Sequence, residues 1–426
     1  MLDVSLAKPR TRLCDSIILY DADTKRISAS IPHAGQASLR ECSCQKNIAF
    51  SITINKLKPR FYFLALKTNM SIRTLKYLSP CLIYIGAITS FLAQGFPIWI
   101  PLIYAWAIIP VLELFIKPDA SNLSATEEEI AKQNKVYDYL LYLIVPLQFF
   151  ALGLFLHSVT YVQQPWIDIA GKTGVMGLLC GTFGINVGHE LGHRINKSEQ
   201  FLAKLLLLSS LYMHFFIEHN RGHHKRVATP EDPSSARYGE TVYAFYFRSI
   251  ILSYLSAWRI ANNETRKKGY PPFSVKNEMI HFHLIQIAFV AVIFFVFSPL
   301  TALLFLAAAV QGILLLETVN YIEHYGLQRR QIAEDKYERA MPSHSWNSNH
   351  VIGRVMLFEL SRHSDHHYLA SRKYQLLRHH DDSPQMPTGY PGMMILSLLP
   401  PAWFWVMNPR IKDLQHEAAI QSVVVN

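Results

Sequence analysis

Cysteine is scarce in this chain of 426 residues. The five cysteines, Cys14, Cys42, Cys44, Cys81 and Cys180, form no C-x-x-C pair, and none lies beyond residue 180. That pattern argues against a disulfide framework, a cysteine-held iron site and a zinc ribbon. Internal repeats and low-complexity tracts are lacking, and residues 1–69 hold no apolar run long enough for a signal peptide. Ionisable residues are nearly missing from the long apolar runs. Glu113, inside "IIPVLELFI", is the exception, and a carboxylate there is expensive unless it faces a site or a polar partner. A metal transporter would call for such residues at mid-membrane in several spans, so their scarcity counts against one.

Apolar side chains are abundant instead. Half of the chain is hydrophobic and its mean hydropathy is +0.13, values that point to a membrane protein. Segments near 78–94, 97–116, 138–158, 172–188, 280–298 and 300–318 read as spans. Residues 201–216 are apolar but short, which fits an interfacial or re-entrant helix better than a crossing. Six crossings put both termini on one side. Thirteen Lys and Arg against five Asp and Glu in residues 1–76 place that side in the cytoplasm. The formal charge of +10 is thereby explained without nucleic acid. The expected fold is an all-α integral membrane protein with six transmembrane helices and a cytoplasmic histidine-rich helical cap. Met70 opens "MSIRTLKYLSPCLIYIGAITSFLAQG", a natural start with a basic flank leading into a span. Residues 1–69 therefore read as a dispensable or mis-started extension, 70–410 as the membrane domain and 411–426 as a C-terminal tail.

Histidine is the unusual residue, with 19 copies. Nine of them fall in four clusters: His189 and His193 in "HELGH", His219, His223 and His224 in "EHNRGHH", His324 in "NYIEHYG", and His363, His366 and His367 in "SRHSDHH". Spacings of i, i+4 (189/193, 219/223, 363/367) and i, i+3 (363/366) put two rings on one helical face, where they can chelate one ion. "HELGH" alone has the zinc-protease spacing, with Glu190 as general base. A catalytic zinc takes three protein ligands, however, and would leave six of the nine histidines without purpose. Two ions with four or five imidazoles each account for them all. Imidazole does not by itself name the metal, but a site that lipid can enter favours redox iron and dioxygen.

Carboxylates recur beside the clusters. Glu190, Glu218, Asp232, Glu323 and Asp365 are positioned to accept from the far ring nitrogen of a ligand, with helix capping or surface solvation as the ordinary alternative, strongest for Asp232 and for Glu240. His344 and His350 in "SHSWNSNH" are assigned the same supporting hydrogen bonds, and the other histidines are read as structural.

The strings "NVGHELGHR", "FFIEHNRGHHKRVATPEDPSSARYGE", "NYIEHYGLQRR", "HSWNSNH", "LSRHSDHHYLASRKYQLLR" and "MPTGYPGM" resemble the membrane-bound alkane 1-monooxygenases. These lie within the histidine-rich membrane di-iron enzymes that include fatty-acid desaturases. The resemblance spans about residues 76 to 410 and has no counterpart for the extension before Met70. It implies terminal hydroxylation of n-alkanes to primary alcohols by dioxygen at two non-haem Fe ions. Carried over position by position, the iron ligands and catalytic residues fall on His189, His193, His219, His223, His224, His324, His363, His366 and His367. It further implies electrons from rubredoxin and rubredoxin reductase, and a multi-pass enzyme among the lipids of the bacterial inner membrane with its site on the cytoplasmic side. With no rubredoxin-like cysteines here, the donor must be a separate protein. A desaturase or hydroxylase acting on an acyl chain, and an intramembrane zinc metalloprotease, are the rival readings. An n-alkane offers no polar handle, so an apolar channel must orient it, with side chains around Ala105 and Trp106 as the gauge of length.

Overall fold

The computed structural model describes residues 73–424 except residue 335, together with two short strands, β1 (Leu19–Tyr20) and β2 (Ile27–Ser28). The chain divides after Ala65 into two compact units. In the first, β1 and β2 pair antiparallel; the reading of residues 1–69 otherwise lies outside the described residues.

The second unit is helical. Five helices are long and apolar enough to cross a membrane: α1 (Arg73–Leu92), α2 (Phe96–Phe115), α4 (Val136–Tyr161), α9 (Glu278–Val296) and α10 (Pro299–His324). They coincide with five of the expected segments. Their outward faces carry side chains such as Phe115, Phe150 and Phe295, which suit contact with lipid.

The segment expected near 172–188 is not among those five. It belongs to a helical run over residues 166–192, here α5, made of Trp166–Leu179, a π-helical stretch Cys180–Ile185, and Asn186–Gly192. Seven glycines dilute its hydropathy and let it pack tightly inside the bundle. Its closest neighbour is α10: a Cβ added at Gly312 would stand 2.6 Å from the Cβ of Cys180, so only glycine permits this approach.

The remaining elements are shorter or more polar. α3 (Ala125–Gln133) starts at a capping box between Ser124 and Glu127. α6 (Lys197–Ser209) occupies the short apolar segment and is not among the apolar spans. α7 covers residues 215–226 and contains a second π stretch, His219–His223. α8 (Val242–Lys267) is amphipathic, burying Ser249, Ser253 and Ser256 while Phe247 and Ile251 face outward. A hairpin of β3 (Gln331–Ala333) and β4 (Lys336–Tyr337) follows. Then come α11 (Val351–Met356), α12 (His363–Tyr368), α13 (Tyr390–Ser397) and α14 (Pro400–Val424). α14 runs through residue 410 without a break, and its Ile411 is buried against Gly326.

Candidate metal centre

The nine histidines come from α5 and its C-terminal cap His193, α7, α10 and α12, and the fold brings all of them together in two groups. His189, His193, His219, His224 and His366 form one; His223, His324, His363 and His367 form the other, and within each group one ligand atom per residue lies within 4.8 Å of every other. The groups adjoin, with the rings of His224 and His367 centred 4.4 Å apart.

Helical periodicity determines which rings meet. His189 and His193 share a group, as do His363 and His367, in keeping with their i, i+4 spacing. The other two expected chelates do not form. His219 and His223 lie in different groups, and so do His363 and His366. Residues 219–223 are π-helical, and in that wider turn residue i meets i+5. His219 accordingly meets His224, Nε2 to Nε2 at 3.0 Å, while His223 is turned to the second group.

The ring nitrogens are packed as a coordination site requires. Nε2 atoms of His189 and His366 stand 2.9 Å apart, those of His363 and His367 2.8 Å, and those of His324 and His363 3.2 Å. The Nε2 of His193 is buried with no hydrogen-bond partner. Burial pushes the pKa values of His193, His219, His224, His363 and His367 well below the ordinary imidazole value, and that of His366 down to about 3. Neutral rings with free nitrogens crowded on common points are the protonation state that metal ligation demands. The residues therefore fit a metal centre, and imidazoles with one adjacent carboxylate suit a transition metal, iron among them.

The carboxylates divide by role. Asp232 does hold a ring: its Oδ2 is 2.8 Å from His223 Nδ1 and also accepts from Ser235 Oγ at 2.6 Å. Burial opposes a charge on His223, but this carboxylate lifts its pKa above the ordinary value. Glu323, expected to support a ring from behind, instead faces the ligand nitrogens, with Oε2 3.1 Å from His363 Nε2. Glu190, Glu218 and Asp365 touch none of the nine rings by hydrogen bond. Glu190 is bridged to Arg194 at 2.7 Å and accepts from Tyr374 N, Glu218 pairs with Arg226, and Asp365 gathers Arg372, Arg378 N and His380. Glu190 is thus unavailable as the general base of a protease. Glu240 binds Arg248.

"SHSWNSNH" contributes through its main chain more than its rings. The His324 Nδ1 lies 3.5 Å from Ser345 Oγ, and Trp346 N donates to the carbonyl of Glu323 at 2.8 Å. The His344 ring accepts from Met341 N, and the His350 ring meets Ser348. Glu113 accepts from Gly353 N at 2.7 Å with Oε1, while its Oε2 is buried without a partner. Glu317, which hydropathy alone passes over, is buried in α10 and accepts from Tyr212 at 2.8 Å and Ser249 at 2.6 Å. Tyr390 was likewise not marked by any histidine or charge in its neighbourhood of sequence.

Beside the metal centre lies a narrow apolar cavity of about 70 Å³ between α1, α2, α5, α10, α11 and α13. Ala105 and Trp106, in the π stretch of α2, belong to its wall. Asn186, Val319 and Leu360 also line it, at most five residues ahead of His189, His324 and His363 respectively, so the cavity wall and the ligands share the same stretches of chain.

A family model described as Fatty acid desaturase matches residues 172–397. Alkane 1-monooxygenase 2 of Pseudomonas aeruginosa is 40% identical over 319 residues, covering 74% of this chain and 84% of that protein. Alkane 1-monooxygenase of Acinetobacter baylyi is 39% identical over 304 residues, 71% of this chain and 74% of the relative. The xylene/toluene monooxygenase hydroxylase component of Pseudomonas putida is 27% identical over 277 residues, 64% and 73% of the two chains. The histidine groups lie within the matched region, and the chain belongs to the alkane 1-monooxygenase family.

Proposed function

We propose that this protein hydroxylates the terminal carbon of n-alkanes at a centre of two iron ions. The observation that carries the reading is the pair of adjoining imidazole groups, with an apolar cavity whose lining residues Asn186, Val319 and Leu360 precede ligand histidines by at most five positions. In the overall reaction an n-alkane, dioxygen, two electrons and two protons give a primary alcohol and water. His189, His193, His219, His224 and His366 would hold one iron, and His223, His324, His363 and His367 the other. When bound, iron supplies the activation of dioxygen that no side chain can provide. The chain's own contribution is placement. A wall of Ile83, Ile109, Leu178 and Met356 binds an unfunctionalised chain by burial alone, and the terminal carbon is what meets the end of the cavity. Asn186, a polar side chain among these apolar ones, already donates its Nδ2 to the carbonyl of Leu357 at 3.0 Å. Asp232 keeps the His223 ring oriented.

Counting α5 as a sixth crossing returns both termini to one side, and the basic residues before α1 make that side cytoplasmic, so the centre faces the cytoplasm of a bacterial inner membrane. Electrons then arrive from a separate rubredoxin and its reductase. The proposed ligands and the residues of this cavity lie between Ile83 and Met394, which supports residues 70–410 as the hydroxylase domain, with α14 carrying the packed helix on past 410. The experiment is turnover by purified protein with rubredoxin, its reductase, dioxygen and an n-alkane, together with metal analysis. A primary alcohol and about two irons per chain are expected. Stoichiometric zinc with little iron, or an olefin from an acyl substrate in place of an alcohol, would overturn the reading.

A further inference from the structure

The segment "MPTGYPGM", residues 386–393, contains no histidine and no charge. Its tyrosine nonetheless reaches the metal centre. Tyr390, at the start of α13, is buried and donates its phenol to Glu323 Oε1 at 2.8 Å. The other oxygen of Glu323 lies 3.1 Å from His363 Nε2, the same nitrogen that stands 2.8 Å from His367 Nε2 and 3.2 Å from His324 Nε2. Four ring nitrogens thus lie within 4.8 Å of one another, and the carboxylate oxygen stands beside one of them, His363 Nε2.

A fully buried carboxylate is costly unless it is neutralised. Among the described residues no arginine or lysine pairs with Glu323; its partners are Tyr390 and His363. A divalent cation among the four rings supplies the missing charge. Glu323 can still rotate about its side-chain bonds, and Tyr390 is the group that prevents this.

Tyr390 is itself fixed. A Cβ at Gly389 would stand 1.8 Å from Glu113 Oε2, so glycine is needed there for α2 to press against the start of α13. Glu113 Oε1 at the same time holds Gly353 N of α11. Pro391 and Met394 of α13 form part of the cavity wall. One two-turn helix therefore carries both a wall of the cavity and the anchor of the carboxylate.

We propose that Tyr390 is a positioning residue that holds Glu323 as the fifth donor of the four-histidine group. The inference rests on the two-metal reading above. The test uses full-length protein in detergent, loaded with Fe(II), and follows metal release to a chelator. In the parent chain two equivalents are held. In Tyr390→Phe, which keeps the ring, one equivalent should leave tenfold faster or more while the other leaves at the parental rate, since loss of a partner behind a ligand typically costs about 10–100-fold in metal affinity. Glu323→Gln should give the same two-phase release, and the double variant should be no faster than Glu323→Gln alone, because Tyr390 acts through that carboxylate. Parental release from Tyr390→Phe, or accelerations that multiply in the double variant, would overturn the proposal. So would loss of both equivalents together with a lowered unfolding temperature, which marks a purely structural tyrosine. A parent chain holding a single equivalent would overturn this proposal and the two-metal reading together. A parent that holds two but yields no alcohol defeats the alkane reading alone and leaves the role of Tyr390 standing.

Discussion

His324 stands alone in its motif, far in sequence from "HELGH", yet its ring is packed against His223, His363 and His367. Replacing it by alanine should abolish alcohol formation and lower iron content by about one ion per chain, the capacity of the four-histidine group. A protease built on "HELGH" gives no reason for either loss, so a fully active His324→Ala variant would count against the two-metal centre. Glu190 separates the readings from the other direction. As a general base it would be indispensable, whereas the structure shows it bridged to Arg194 beside Asp138. Glu190→Gln should keep its iron and its product while losing on the order of 1–3 kcal/mol of stability, because one buried charged partner is removed and Asp138 remains to Arg194. Iron analysis and denaturant unfolding measure the two effects. Absence of turnover in a folded, iron-loaded Glu190→Gln protein would contradict the assignment.

At the scale of elements, three π-helical stretches adjoin the site: residues 104–108 and 180–185 in the cavity wall, and 219–223 carrying ligands. A π turn re-aims side chains within an otherwise continuous helix and is frequent at functional sites. It also explains why an i, i+4 reading of His219 and His223 misassigns them, since the local period is not that of an α-helix. The stretch in α2 turns Ala105 and Trp106 toward the cavity. Ala105→Trp should shorten the longest n-alkane accepted while sparing shorter ones, and Trp106→Ala should extend it. Each methylene that no longer fits forfeits roughly 1 kcal/mol of burial and adds overlap. Product yield across an alkane series is the measurement. A uniform fall at all lengths would show that these residues only support the fold, and an unchanged profile would place the channel elsewhere. α8 is the long helix that apolar-run reading passes over, because its stripe is amphipathic rather than continuous and Arg248 and Arg259 interrupt it.

For the whole molecule, ligands and cavity together occupy residues 83–394. Removal of residues 1–69 should therefore leave iron content, membrane insertion and turnover unchanged, since α1 with its basic flank begins after Met70. Extraction of the truncated chain from the membrane by alkaline carbonate, or loss of turnover, would show that the extension matters. The bundle also assigns the one segment whose apolar character was overestimated: α5 has the length of a span, but its glycines serve contact with α10 rather than with lipid.

The sequence by itself determined the membrane class and five of the apolar helices, and it singled out the nine histidines that the fold brings together, because hydropathy and ligand type are properties of local strings. It could also mark Glu113 as a carboxylate needing a partner, though not that the partner would be Gly353 of a distant helix. Only the tertiary structure decided how the rings divide five and four, that Asp232 rather than Glu190 steadies a ring, and that Glu323 faces the ligand nitrogens under the hold of Tyr390. Those pairings join α5, α7, α10, α12 and α13, elements up to 201 residues apart between His189 and Tyr390. Their outcome depends on local helical pitch and on which helices approach closely enough at glycine, neither of which is encoded in the spacing of a single motif.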